Sequence, residues 1–218
     1  AYMQLQDYAS AEKDLYAAIK QSRKSYAVYR TLYSALEAQD KDDEAKQVLN
    51  DALQLSGSSG EDYYNRGMIY VDLQDYTNAA DMLNKSYDKG YKAALLGLGE
   101  LSYTQQDYDT ALTYYGKYFD EVDISSVDAS LAAKAYNQYA AVLLAKGEYE
   151  KAAQACESGL TYNDRESDAA LSFNLIVSYE HLEQWEDAYN TAKTYVSKYP
   201  EDTKGQKEYQ FLESRVTQ

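Results

Sequence analysis

The sequence predicts an all-α protein, a solenoid of antiparallel helix pairs closed by a capping helix at its C-terminal end. Three observations carry this. The 218 residues include one proline and 10 glycines, so few positions resist helix formation. An alanine three residues after an aromatic recurs along the whole chain. Around these anchors, apolar side chains repeat at intervals of three and four residues, the spacing that lines one face of a helix.

The anchors run in order as Tyr8-Ala9-Ser10-Ala11, the variant Asp42-Asp43-Glu44-Ala45, Tyr76-Thr77-Asn78-Ala79, Tyr108-Asp109-Thr110-Ala111, Tyr149-Glu150-Lys151-Ala152 and Trp185-Glu186-Asp187-Ala188. Their alanines lie 34, 34, 32, 41 and 36 residues apart, a period typical of stacked helix-pair repeats. Upstream of each anchor a first helix is expected. Its stripe reads Tyr63, Gly67 and Tyr70 in one repeat, and Leu95, Leu98 and Gly99 in the next. Tyr29, Leu32 and Leu36 echo it, as do Tyr136, Tyr139, Ala140 and Leu143, and then Leu175 and Tyr179. Downstream, Leu15 and Ala18, Leu49 and Ala52, and Leu83 and Ser86 follow their anchors by four and seven residues and mark a second helix.

The predicted repeats are 1–24 (partial), 25–59, 60–91, 92–126, 127–165 and 166–201, with a solvent-facing closing helix over 203–217 after Pro200, together one solenoid over 1–218. The first anchor comes only ten positions in, and the chain opens at Ala1-Tyr2 in the middle of a helical pattern. The native chain is therefore expected to continue upstream. The 41-residue interval carries seven more residues than the 34-residue one, about two helical turns. They fall between Phe119 and Ala129, where Ser126 or Asp128 is placed to cap the next helix.

A hydrophobic content of 45% supports a real core and argues against disorder. The net charge of −15 repels phosphate backbones and anionic membrane surfaces. No nucleic-acid partner and no membrane insertion is expected, since no apolar run approaches the ~20 residues that span a bilayer. Cys156 is the sole cysteine, which rules out an intrachain disulfide and a thiolate metal site.

Candidate chemistry is sparse. His181 is the one histidine, and its spacing from Trp185 predicts a surface pair rather than a general base. Cys156 occupies a second-helix core position. Asp40-Lys41-Asp42-Asp43-Glu44 lacks the glycine and terminal glutamate of a calcium loop and reads as a solvated turn. No cofactor, metal or catalytic site is expected. Ten of the 26 tyrosines fall on aromatic positions of the repeat (Tyr2, Tyr8, Tyr29, Tyr63, Tyr70, Tyr76, Tyr108, Tyr136, Tyr149 and Tyr179) and are expected to pack.

These residues resemble the tetratricopeptide repeat family, over essentially the whole chain. The resemblance is strongest over 60–90 and includes the family's proline as Pro200. The small first-helix position is Gly67, Gly99 and Ala140 but becomes Tyr33 and Ile176, where wider or rotated packing is expected. The resemblance implies a right-handed superhelix whose first helices line a concave face that holds peptides. On this register the groove residues are Arg30, Ser34, Tyr64, Asn65, Met68, Glu100, Tyr103, Lys134, Asn137, Gln138, Phe173 and Asn174. They lack the family's Lys-plus-Asn clamp for a C-terminal carboxylate. The implied function is a non-enzymatic scaffold for a protein or peptide ligand. The alternatives are a surface carbohydrate binder using Tyr64, Tyr103 and Tyr114, or the docking segment of a larger protein. The composition resembles extracytoplasmic bacterial proteins, which would place the chain outside the cytoplasm behind an upstream lipid anchor, with a cytoplasmic location the alternative.

Overall fold

A computed structural model describes residues 7–21 and 25–216; Tyr2 and residue 217 of the expected closing helix lie outside them. The described residues form an all-α helical repeat solenoid with no strand. The helices are α1 (Tyr8–Gln21), α2 (Tyr26–Glu37), α3 (Asp42–Leu53), α4 (Gly60–Asp72), α5 (Tyr76–Asp88), α6 (Ala94–Thr104), α7 (Tyr108–Glu121), α8 (Ala129–Ala145), α9 (Tyr149–Leu160), α10 (Asp168–His181), α11 (Trp185–Lys198) and α12 (Thr203–Val216). The even-numbered helices α2 to α10 are the first helices of five pairs. On the repeat register α1 corresponds to a second helix, and α12 packs against α11.

One turn recurs inside every pair. Asp40, Gln74, Gln106, Gly147 and Glu183 have positive φ, between 57° and 75°, and each stands five residues before its anchor alanine. The N–H of each bonds the carbonyl three residues back, as Asp40 does to Glu37 at 3.0 Å and Gln74 to Val71 at 2.9 Å. The following N–H reaches back five, as Lys41 does to Leu36 at 3.0 Å and Asp75 to Tyr70 at 2.9 Å. This double bond pattern ends the first helix on a left-handed residue. Only one of the five is glycine, so four turns spend about 1 kcal/mol each on a strained backbone. The residue after the turn then starts the second helix. Asp75 and Asp107 accept from the N–H groups of Asn78 and Thr110, both at 3.2 Å, and satisfy helix-end donors.

The extra residues after α7 divide between a junction and a helix. A short 3-10 turn, Ile124–Ser126, precedes α8, which at 17 residues is longer than the 12 of α9. Of the two candidate caps, Asp128 serves, accepting from Ser130 N at 2.9 Å.

The chain divides into two compact units, Ala1–Leu101 and Ser102–Gln218. In the first, Leu32, Leu36, Leu49, Ala52 and Ile69 are fully enclosed. In the second, Ala140, Leu143, Ala152, Cys156 and Leu171 form one core, and Ile176, Ala188, Ala192, Tyr195 and Leu212 form another beneath α12. All six anchor alanines are buried at 4% exposure or less, where close packing leaves little room for a larger side chain. The repeat tyrosines pack, but to different depths. Of the nine described repeat tyrosines only Tyr29 is buried and the rest are half-buried, whereas Tyr115 and Tyr118, off the pattern, are enclosed at 1%. Ile176, at a position the family keeps small, is fully buried in the terminal core.

The closing helix carries a pH-sensitive contact. Glu180 of α10 shares a hydrogen bond with Glu208 of α12; burial first, and this carboxyl neighbour second, raise its pKa to about 7. The folded state therefore holds a proton that the unfolded chain releases near the ordinary carboxylate value. Its contribution is present below that value and is lost as pH rises through about 7. The thermal midpoint is expected to fall between about pH 5 and pH 8, and Glu180→Gln should flatten that slope. A slope unchanged in the variant would remove Glu180 as its source.

Candidate functional site

The residues assigned to the concave face fall in both units, and each group is built differently. In the first unit, Arg30 of α2 reaches Asp72 at the end of α4, Nε donating to Oδ2 at 2.9 Å and Nη2 to Oδ1 at 3.4 Å. Burial pushes the Asp72 carboxyl up in pKa, against the pull of Arg30; Glu100 and Glu37 add to the rise. Arg30 is thus the cation of a carboxylate-rich corner and is already engaged. Ser34, one turn along α2, donates to the Arg30 carbonyl at 3.2 Å. Arg30, Thr31, Tyr33, Ser34 and Asp72 line an open cavity of about 290 Å³.

Tyr64 leans on Tyr91 with ring centres 5.4 Å apart and planes tilted by 52°, and Asn65 donates back to the Glu61 carbonyl at 2.9 Å. Met68 departs from its assignment. It is 1% exposed, covered where Gly97 lets α6 approach: a Cβ on Gly97 would stand 3.1 Å from the Met68 sulfur. A methionine beside the packing stripe is thereby drawn into it, and it offers no contact surface.

In the second unit, Asn137 of α8 and Asn174 of α10 meet directly, Asn174 Nδ2 donating to Asn137 Oδ1 at 3.0 Å. Both are half-buried, and Gln138 beside them is half-buried as well. Lys134, one turn earlier, is exposed. Phe173 is turned partly inward, packed against the terminal core with its ring 6.1 Å from that of Tyr195. Tyr103 is 39% exposed and leans on Tyr108 at 5.7 Å. Tyr64 and Tyr103 thus each sit in a tilted aromatic pair.

The candidate reactive groups are placed as follows. Cys156 is wholly buried, and burial raises its pKa to about 12, which removes thiolate reactivity. His181 is exposed and stacks on Tyr149, with ring centres 4.1 Å apart and planes 2° from parallel. Its partner is a residue of the preceding repeat, and Trp185 instead carries the Arg215 guanidinium 5.1 Å over its ring. Asp40 occupies a helix-ending turn. Among the described residues, no group of three or more His, Cys, Asp and Glu is arranged to hold a metal ion, and no helix is long and apolar enough to cross a membrane.

Comparison with known proteins agrees with this architecture. Residues 64–122 match a family model described as tetratricopeptide repeat. Among solved structures, the chain resembles the APC/C hetero-tetramer Cut9-Hcn1 at 15% identity and a TM-score of 0.67, over 97% of this chain but 40% of that one. A tetratricopeptide repeat protein from Parabacteroides merdae ATCC 43184 matches at 18% identity and a TM-score of 0.67, over 97% of this chain and 80% of that one. YrrB, a TPR protein with an unusual peptide-binding site, matches at 20% identity and a TM-score of 0.54, over 88% of this chain and 95% of that one. No curated protein matches at the level of sequence.

Proposed function

We propose that this chain, whose residues 64–122 match a tetratricopeptide repeat model and whose fold resembles that of a solved tetratricopeptide repeat protein, is a non-enzymatic protein–protein interaction scaffold that holds an extended polypeptide segment against its first helices. The observation that carries this reading is the Asn137–Asn174 pair. An amide has two donors and an acceptor. When two amides share one hydrogen bond, one NH2 and one carbonyl are left over, whichever way each group is turned. Those are the complements of a peptide's own C=O and N–H. The pair also bridges neighbouring first helices, so its spacing is held by the repeat itself. Half-burial lends such bonds more weight than they carry in open water. The buried thiol of Cys156 and the stacked ring of His181 support the absence of catalysis.

A random peptide library displayed on phage and selected on the intact chain tests this. Peptides should be enriched, and Asn137→Ala with Asn174→Ala should weaken a class of them about tenfold or more, as expected for two lost hydrogen bonds. Helical circular dichroism should be unchanged. If no enriched peptide depends on the two asparagines, the groove assignment fails.

A further inference from the structure

The opposite side of the second unit carries two cavities that the concave face does not use. One, of about 580 Å³, opens between α7 and α9 over a floor from α8. Its walls are Phe119, Tyr136 and Tyr139, with Phe119 centred 4.8 Å from Tyr136 and 5.5 Å from Tyr139. Ile124, from the junction that lengthens this repeat, closes one edge.

Gly116 also lines it, and here the glycine itself is informative. It lies in the interior of α7, where glycine weakens a helix, yet a Cβ built on it would meet nothing within 4 Å. Its φ is not positive. No packing or backbone demand explains it. At the equivalent place, five residues after the anchor alanine, the other repeats carry Tyr16, Asn50, Asn84, Glu157 and Lys193. A missing side chain at this place leaves the aromatic cavity open.

The second cavity, of about 330 Å³, lies on the other flank of α9, with Glu150, Glu157 and Asp187 in its wall. Tyr179 donates to Glu157 at 2.6 Å, which fixes that carboxylate in place. Gln154 lines both cavities, so the two are neighbours across a single helix. Lys151, the cation at the aromatic cavity, is drawn to Glu148 at 2.6 Å. The chain's net charge of −15 reinforces the preference of the acidic cavity for a cation.

We propose that this second-helix side is a further docking surface, where the Phe119–Tyr136–Tyr139 cavity takes a bulky apolar side chain and the Glu150–Glu157–Asp187 cavity takes a lysine or arginine of the same peptide. A helix is about 10 Å across and an extended strand advances about 3.3 Å per residue. Because side chains alternate faces along a strand, the two that reach this surface are two or four residues apart in the ligand. The rigid aromatic walls supply contact area at little entropic cost, and the paired cavities supply register.

The same random peptide library selected on the intact chain decides this separately from the concave face. A class of peptides is expected with an aromatic or large aliphatic residue two or four positions from a lysine or arginine. Gly116→Phe, which fills the cavity, should weaken that class about tenfold or more, and Asn137→Ala with Asn174→Ala should leave it unchanged. Glu150→Gln with Asp187→Asn should weaken it and reduce its salt dependence. Gly116→Ala serves as the control, strengthening the helix while leaving the cavity open and the affinity intact. Selection of no peptide with this pattern, or equal binding to Gly116→Phe, would overturn the proposal whatever becomes of the asparagine pair.

Discussion

Replacing Leu83 with alanine is expected to lower the unfolding free energy by about 2–5 kcal/mol, among the largest single effects in the first unit. Leu83 is fully enclosed and sits where three helices converge. A Cβ on Gly67 of α4 would stand 2.7 Å from its Cγ, and one on Gly97 of α6 would stand 2.7 Å from its Cδ2. Both glycines are therefore shaped around this one side chain. Gly67→Ala should itself be destabilising by about 1–3 kcal/mol through overpacking, less what alanine gains in helix propensity. The double variant supplies the sharper test. With the leucine gone, the methyl at position 67 enters vacated space, so the two costs should sum to more than the double variant shows, by about 1 kcal/mol. Urea unfolding followed by circular dichroism measures all four corners of the cycle. Strict additivity would mean that leucine and glycine do not share a seam.

The second large effect is expected at Asp168, the first residue of α10. It is only 6% exposed and accepts from Lys198 Nζ and from the Tyr199 hydroxyl, both at 2.8 Å. A carboxylate is tolerated there because two donors from the end of α11 and the start of its own helix offset its lost hydration. Lys198→Met with Tyr199→Phe strips the donors and leaves the charge buried, at a cost of about 3 kcal/mol. Lys198→Met alone should cost much less, since that side chain is 55% exposed and the tyrosine bond remains. The phenol provides an independent reading. Burial, and then the bond to Asp168, push the Tyr199 pKa up to about 12. Asp168→Asn should bring it down toward the ordinary tyrosine value, followed by phenolate absorbance. A Tyr199 titration unmoved by Asp168→Asn would show that burial acts alone.

Asn137 and Asn174 stand on neighbouring first helices because the register places them there, and the structure brings them to 3.0 Å. Met68 and Phe173, read on the same register, are drawn toward the packing. Periodicity gives the angle at which a side chain leaves its own helix. It does not give the distance to the next helix, and at Met68 that distance is shortened by a glycine 29 residues later, Gly97. His181 illustrates the same limit: the i, i+4 rule points to Trp185, but the ring of Tyr149 comes from another repeat and stacks more closely.

What the sequence by itself determined is the repeat. Each anchor alanine is buried where the spacing placed it, and Cys156 lies in the core, because short-range helix geometry and the need to bury one stripe leave few alternatives. Tertiary structure alone decided the turns and the cavities. Asp40, Gln74, Gln106 and Glu183 adopt a conformation that suits glycine, and no propensity announces it; two backbone hydrogen bonds and the packing of the pair hold them there. Gly116 reads in sequence as a weak point of a helix. Only the arrangement of α7, α8 and α9 around it turns that missing side chain into an open cavity.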